Sequence, residues 1–195
     1  MIQKEKSETR ERIIKAVLKI IGQKGAVKFT VREISKVANV NLSAVNYYFR
    51  STNNLLNEVE IYFAEKVQEI NSILKGEDAY TKLTLTEWAK AMMELLSKNT
   101  GIIWIIANKI LNKGSSGIFI EKLIDENSVF LKEIISKLTN NNDDQYLAGK
   151  VTQLISDISF PIIISKGLGK NMGLNFNDFT IIDRYASSIV NSILK

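Results

Sequence analysis

The sequence predicts an all-α protein, and three observations carry that prediction. Apolar residues recur at helical spacing along nearly the whole chain, strict period-two alternation is missing, and the segments between polar or Gly breaks exceed the usual strand length. β-Branched Ile is abundant, which by propensity alone favours strands, but periodicity and segment length outweigh it.

The first helix is expected over Glu8 to Lys24, where Ile13, Ile14, Val17, Leu18, Ile20 and Ile21 form one amphipathic stripe. Gly25 suits its C-terminal stop. Thr30 and Glu33 have the spacing of a capping box, so a second helix begins at Val31, with Val31, Ile34, Val37 and Ala38 on its apolar side. Leu42, Val45, Tyr48 and Phe49 repeat that rhythm. Two short helices are implied rather than one, because Asn39 tolerates a left-handed turn and Asn41 is a natural N-cap. The first helix should pack across this pair through Phe29, Ile34 and Phe49. Ser43, Ala44, Asn46 and Tyr47 then turn away from the core.

After a break at Ser51 to Asn53, a helix from Leu55 to Leu74 is expected, ending near Gly76 and long enough to connect two domains. Five more segments follow: Leu83 to Ser97, Ile102 to Leu111, Ile118 to Leu138, Asp144 to Leu168 and Asp178 to Leu194. Pro161 should kink its helix rather than end it, since apolar residues continue through Ile162 to Ile164. The run Asn140 to Asp144 reads as a loop.

Composition narrows the chemistry. A chain of 195 residues, 45% hydrophobic, can bury a real core. Cys and His are both absent, which removes disulfides, thiolate and imidazole metal sites, cysteine nucleophiles and serine–histidine pairs. No metal, no cofactor and no enzymatic activity are expected. Gly167 to Gly173 misplaces the third glycine of a dinucleotide loop and follows no strand, while Lys113 to Gly117 lacks a phosphate-loop lysine and reads as a hinge. The charged N-terminus is no signal sequence, and the longest uninterrupted apolar run, Ile102 to Ala107, falls short of the roughly 18 residues a membrane span needs. A cytoplasmic chain without a membrane partner is the expectation.

The net charge of +5 is unevenly spread. Residues 1–52 hold 11 Lys or Arg against 4 Asp or Glu, a net +7, whereas residues 53–195 hold 15 against 17, a net −2. The basic part coincides with the paired short helices, whose outer face is polar, aromatic and basic. That is the layout of a helix-turn-helix reading double-stranded DNA, whose phosphates supply the sequence-independent part of affinity.

The order of an amphipathic helix, then T-V-R-E-I-S-K-V-A-N-V-N-L-S-A-V-N-Y-Y-F, then a long connecting helix, resembles the TetR family of bacterial transcriptional regulators over roughly residues 8–60. Thr30, Ile34, Ala38, Val40, Tyr48, Phe49, Ser51 and Leu55 fall on the family pattern. Ser35 stands where Ala is usual, Asn39 where Gly is usual, Asn46 where a Tyr is common and Thr52 where a Lys often touches phosphate. Beyond Tyr62 the resemblance is one of length and helical layout.

The resemblance implies an N-terminal three-helix DNA-binding domain at 1–52 and a helical effector-binding and dimerisation domain at 53–195. Thr30 and Arg32 would meet DNA from the first helix of the motif. Leu42, Ser43, Ala44 and Asn46 would enter the major groove, with Tyr47, Tyr48 and Thr52 near the backbone. The chemistry is apt: Arg forks to guanine, Asn pairs with adenine, Ala or Leu meets a thymine methyl, and Tyr and Ser hydroxyls reach phosphate. For the second domain the resemblance implies a cavity for a small apolar or aromatic effector. Trp88, Met92, Trp104, Asn108, Phe119, Phe130 and Phe160 are candidates to line it, with Ser97 and Asp157 as further polar groups. The last two segments, around Gln145 to Ile164 and Ile181 to Leu194, would form a homodimer. The alternatives are a helical small-molecule-binding protein or enzyme, or an interaction module whose basic helices meet an acidic protein.

Overall fold

A computed structural model describes the backbone at residues 2–75, 80–111, 118–167 and 174–195, and the side chains at 6–75, 80–111, 122–165 and 174–195. The described elements are α1 (Ile2–Lys24), α2 (Val31–Ala38), α3 (Leu42–Phe49), α4 (Thr52–Asn71), a 3-10 turn (Ser72–Leu74), α5 (Lys82–Lys98), α6 (Gly101–Leu111), α7 (Ile118–Thr139), α8 (Asp144–Gly167) and α9 (Phe179–Ile193). The all-α expectation holds. Pro161 lies inside α8, as its apolar continuation implied. The expected break at 51–53 shrinks to Ser51, whose hydroxyl accepts the Asn54 N–H at 3.2 Å and so caps α4 from Thr52 onward. The two glycine segments, at 113–117 and 168–173, lie outside the described residues.

Contacts divide the chain into two compact units, Met1–Ala64 with Asn99–Ile120, and Glu65–Lys98 with Glu121–Lys195. These units differ in membership from a division at residue 52. The reason is α6, which returns from later in the sequence to pack on α1.

In the first unit, Ile13, Ile14, Val17, Leu18 and Ile21 of α1 are at most 1% exposed, and they share a core with Ile34, Val45, Phe49, Val59 and Ile102. Fully burying such side chains contributes roughly 1.5–3 kcal/mol each. Gly101 lets α6 approach α1 closely, because a Cβ there would collide with the Leu18 carbonyl. Lys109 of α6 pairs with Glu60 of α4 at 2.5 Å, with side-chain exposures of 16% and 2%. Arg10–Glu58 pairs α1 with α4, and the Tyr62 hydroxyl donates to Glu11 at 3.4 Å.

In the second unit, Leu147, Val151, Leu154, Ile158 and Ile162 form the buried stripe of α8, and Ile182, Ala186, Ile189, Val190 and Ile193 that of α9. Both pack with α5, which buries Leu85, Trp88, Ala89, Met93 and Leu96. Lys90 fastens α5 to α9 by its ion pair with Asp183 at 2.8 Å and by lying 4.3 Å from the Phe179 ring centre. Asp144–Ser165 of α8 has mean hydropathy 1.3 and is, by length and composition alone, long and apolar enough to cross a membrane. Uninterrupted apolar runs miss it because Thr152, Gln153, Ser156 and Asp157 break the sequence. Its apolar stripe packs with α5 and α9, and 28% of the window is buried.

Candidate nucleic-acid interface

The site begins with the start of α2. Thr30 is extended (φ −116°, ψ 154°), its hydroxyl accepts the Glu33 N–H at 3.2 Å, and the Glu33 carboxylate accepts the Thr30 N–H at 2.8 Å. This is the expected capping box. Lys24 reaches the same carboxylate at 2.6 Å. The Lys24 ammonium first, and the Thr30 N–H after it, hold the Glu33 carboxyl below the usual Glu range.

Asn39 ends α2 in the left-handed region (φ 52°, ψ 55°). The Val40 N–H donates to the Ser35 carbonyl at 3.0 Å and the Asn39 N–H to that of Lys36 at 3.4 Å, the two bonds of a Schellman stop with Asn in place of Gly. Asn41 occupies the N-cap of α3, but its side chain makes no capping hydrogen bond, which corrects half of its expected role.

Helix α3 inserts Val45 and Phe49, each 3% exposed, into the core. A helix of this length turns its other side outward, and that side carries Leu42, Ser43, Asn46 and Tyr47, all exposed, Tyr47 to 68%. Ala44 and Tyr48 are half-buried, the Tyr47 and Tyr48 rings meeting edge-on at 5.3 Å. Thr30, Arg32 and Thr52 are exposed. Val37, expected on the apolar side of α2, is 41% exposed, because Ile34 and Ala38 alone suffice to seat this short helix. A recess of about 120 Å³ lies between α2, α3 and the start of α4, with Phe29 and Phe49 among its walls and Asn46, Arg50, Ser51 and Thr52 lining it. Arg50 did not stand out from the sequence; its significance lies in a backbone conformation that residue patterns do not display.

The residues expected around an effector fall in both units. Trp88 is buried in the second, where its indole N–H donates to Asn71 Oδ1 at 2.9 Å. Asn71 Nδ2 donates to Asn127 Oδ1 at 2.6 Å, and Asn127 Nδ2 to the Leu123 carbonyl at 2.7 Å. Met92 and Phe130 are half-buried in that unit, and Phe160 is 59% exposed. Ser97 is buried and donates to the Glu94 carbonyl at 3.0 Å, while Asp157 is half-buried beside Gln153. Trp104 and Asn108 belong to the first unit, Trp104 half-buried against Gly25 and Asn108 exposed. The Phe119 side chain lies outside the described residues. Asn71 and Asn127 went unnoticed in the sequence because a lone Asn in an amphipathic helix carries no spacing signal.

A capped helix, a left-handed Asn turn and a second helix with an outward polar and aromatic face define a helix-turn-helix protein. Residues 13–59 match the model of the bacterial regulatory proteins, tetR family. Over 60 residues the chain is 35% identical to the probable HTH-type transcriptional regulator YttP of Bacillus subtilis (strain 168), a match spanning 31% of this chain and 29% of that regulator's length. The likeness to the tetR family is carried by residues 13–59, the helix-turn-helix part of the chain.

Solved structures extend the likeness in fold. A TetR-family transcriptional regulator, PfmR, from Thermus thermophilus superposes with a TM-score of 0.70 at 15% identity, covering 94% of this chain and 97% of that one. HlyIIR, a hemolysin II transcriptional regulator, gives 0.65 at 21% identity, covering 94% and 97%. A putative TetR-family regulator from Mesorhizobium loti MAFF303099 gives 0.62 at 20% identity, covering 97% and 96%.

Proposed function

We propose that the protein is a cytoplasmic transcriptional repressor that binds a pseudo-palindromic operator as a homodimer and is released by a small apolar or aromatic effector. The observation that carries this reading is the division of α3, which buries Val45 and Phe49 and leaves Ser43, Asn46 and Tyr47 in solvent beside exposed Arg32 and Thr30. A short helix with polar groups on its free side is what a major groove admits, and an exposed Asn can read adenine through its amide. Release follows from differential affinity: an effector that prefers a conformation with mis-spaced recognition helices lowers DNA affinity by that preference. No catalytic role is assigned.

The test is selection of bound duplexes from a random library, followed by footprinting. The expected result is an inverted repeat whose half-sites are about one helical turn, or a multiple, apart. Enrichment of no sequence over the starting library would overturn the reading. Enrichment of one unrepeated half-site would retain DNA binding and overturn the dimer.

A further inference from the structure

Arg50 holds a conformation that L side chains rarely adopt. It sits between α3 and α4 with φ 58° and ψ −37°, and the Ser51 N–H donates across it to the Phe49 carbonyl at 2.6 Å. This is a γ-turn with positive φ at its centre, a rare and strained form. Glycine would occupy it without the clash of a Cβ. An arginine there needs another reason, and its surroundings in the protein supply none: Arg50 is exposed, and its guanidinium makes no hydrogen bond or ion pair among the described residues. The sequence from Ile34 to Asn57 contains no Asp or Glu at all. The recess it lines is otherwise apolar except for Asn46, Ser51 and Thr52, and none of its lining residues carries a negative charge.

We infer that Arg50 is a DNA-backbone anchor, its guanidinium neutralising a phosphate beside the recognition helix; this rests on the DNA-binding reading proposed above. The turn carries the side chain at the junction where α3 ends and α4 begins, next to the exposed face of α3. A guanidinium offers a phosphate two parallel N–H donors. Arg50 thereby places a cation two residues before Thr52, which is neutral and can give only one hydroxyl. A phosphate contact fixes register and adds affinity without reading sequence.

The inference makes stability and binding move in opposite directions, which a merely structural Arg50 would not do. Arg50→Gly is expected to keep or raise the thermal midpoint, since the positive φ no longer carries a Cβ, while binding weakens severalfold to a selected and to a random-sequence duplex alike. The slope of log affinity against log salt should flatten by about 0.9 for each phosphate lost, two in a symmetric dimer. Arg50→Lys should keep most of that slope, and Arg50→Gly combined with Thr52→Lys should recover it. An unchanged slope in Arg50→Gly would overturn the anchor. A loss confined to the selected duplex would overturn it in favour of a base contact. If the wild-type chain binds neither duplex, the DNA-binding reading fails and the anchor with it, an outcome distinct from an inert Arg50 in a binding protein.

Discussion

Asn46 stands in solvent on α3 immediately after buried Val45, so its amide can be changed without touching the core. Asn46→Ala is expected to relax base preference at one symmetric pair of operator positions, at about 1–3 kcal/mol if the contact is bidentate. A selected consensus that stays unchanged would show that another face of α3 reads the bases. Thr52→Lys should do the reverse of a specificity change, tightening binding to operator and random DNA together and steepening the salt slope by about 0.9 per phosphate gained. An unaltered slope would place residue 52 away from the backbone. Thr30 and Glu33 govern the helix start instead. The Glu33 carboxyl is held low chiefly by Lys24, so the stability it contributes is present above the ordinary Glu range and is lost as pH falls through its depressed value. An acid titration should therefore show wild type keeping an advantage over Glu33→Gln at neutral pH and losing it only below that range. Thr30→Ala removes a cap typically worth about 1 kcal/mol, readable by urea denaturation.

At the scale of elements, α6 is the piece that the first unit recruits from outside the N-terminal sequence. Its beginning depends on Gly101 against the Leu18 backbone, and its end on the Lys109–Glu60 pair. Glu60 Oε2 has no hydrogen-bond partner among the described residues, so Lys109 supplies the compensation this buried carboxylate receives. Lys109→Met should destabilise the protein by about 3–5 kcal/mol, because it strands the carboxylate, whereas Lys109→Met with Glu60→Leu should recover most of the loss. Denaturant midpoints of the two single and the double variant measure the coupling. Equal destabilisation of the double and single variants would assign the loss to packing rather than charge.

For the whole molecule the proposed dimer makes the sharpest demand. The outward positions of α8 are small or polar at Gly149, Thr152 and Ser156, with Ile155 at 38% and Phe160 at 59% exposure, and α9 exposes Arg184, Ser188 and Asn191. This face is less apolar than the sequence suggested, though small residues let helices of two subunits come close. Sedimentation at micromolar concentration is expected to give a dimer; a monomer would remove the basis for a two-fold operator. An effector should alter tryptophan emission, with Trp88 already hydrogen-bonded to Asn71, and weaken DNA binding by linkage. A compound that quenches emission but leaves operator affinity unchanged would occupy a pocket without a switch.

Local chemistry was readable from the residues alone. The Thr30–Glu33 box, the Asn39 turn and the stripe of α1 depend on neighbours within a few positions, so their spacing in the chain states their geometry. The outward placement of Ser43, Asn46 and Tyr47 followed for the same reason, since α3 must bury Val45 and Phe49, whereas Ala44, expected to face outward with them, is half-buried. Tertiary structure decided what distant residues do to one another. It joined α6 to α1 through Gly101 and Leu18, paired Lys109 with Glu60, and threaded Trp88, Asn71 and Asn127 into one chain of hydrogen bonds. It also set Arg50 in a γ-turn, because closing α3 onto α4 fixes that backbone whatever its side chain prefers. Periodicity records which side of a helix is apolar; which helix covers that side is settled by packing among segments that carry no mark of each other in the sequence.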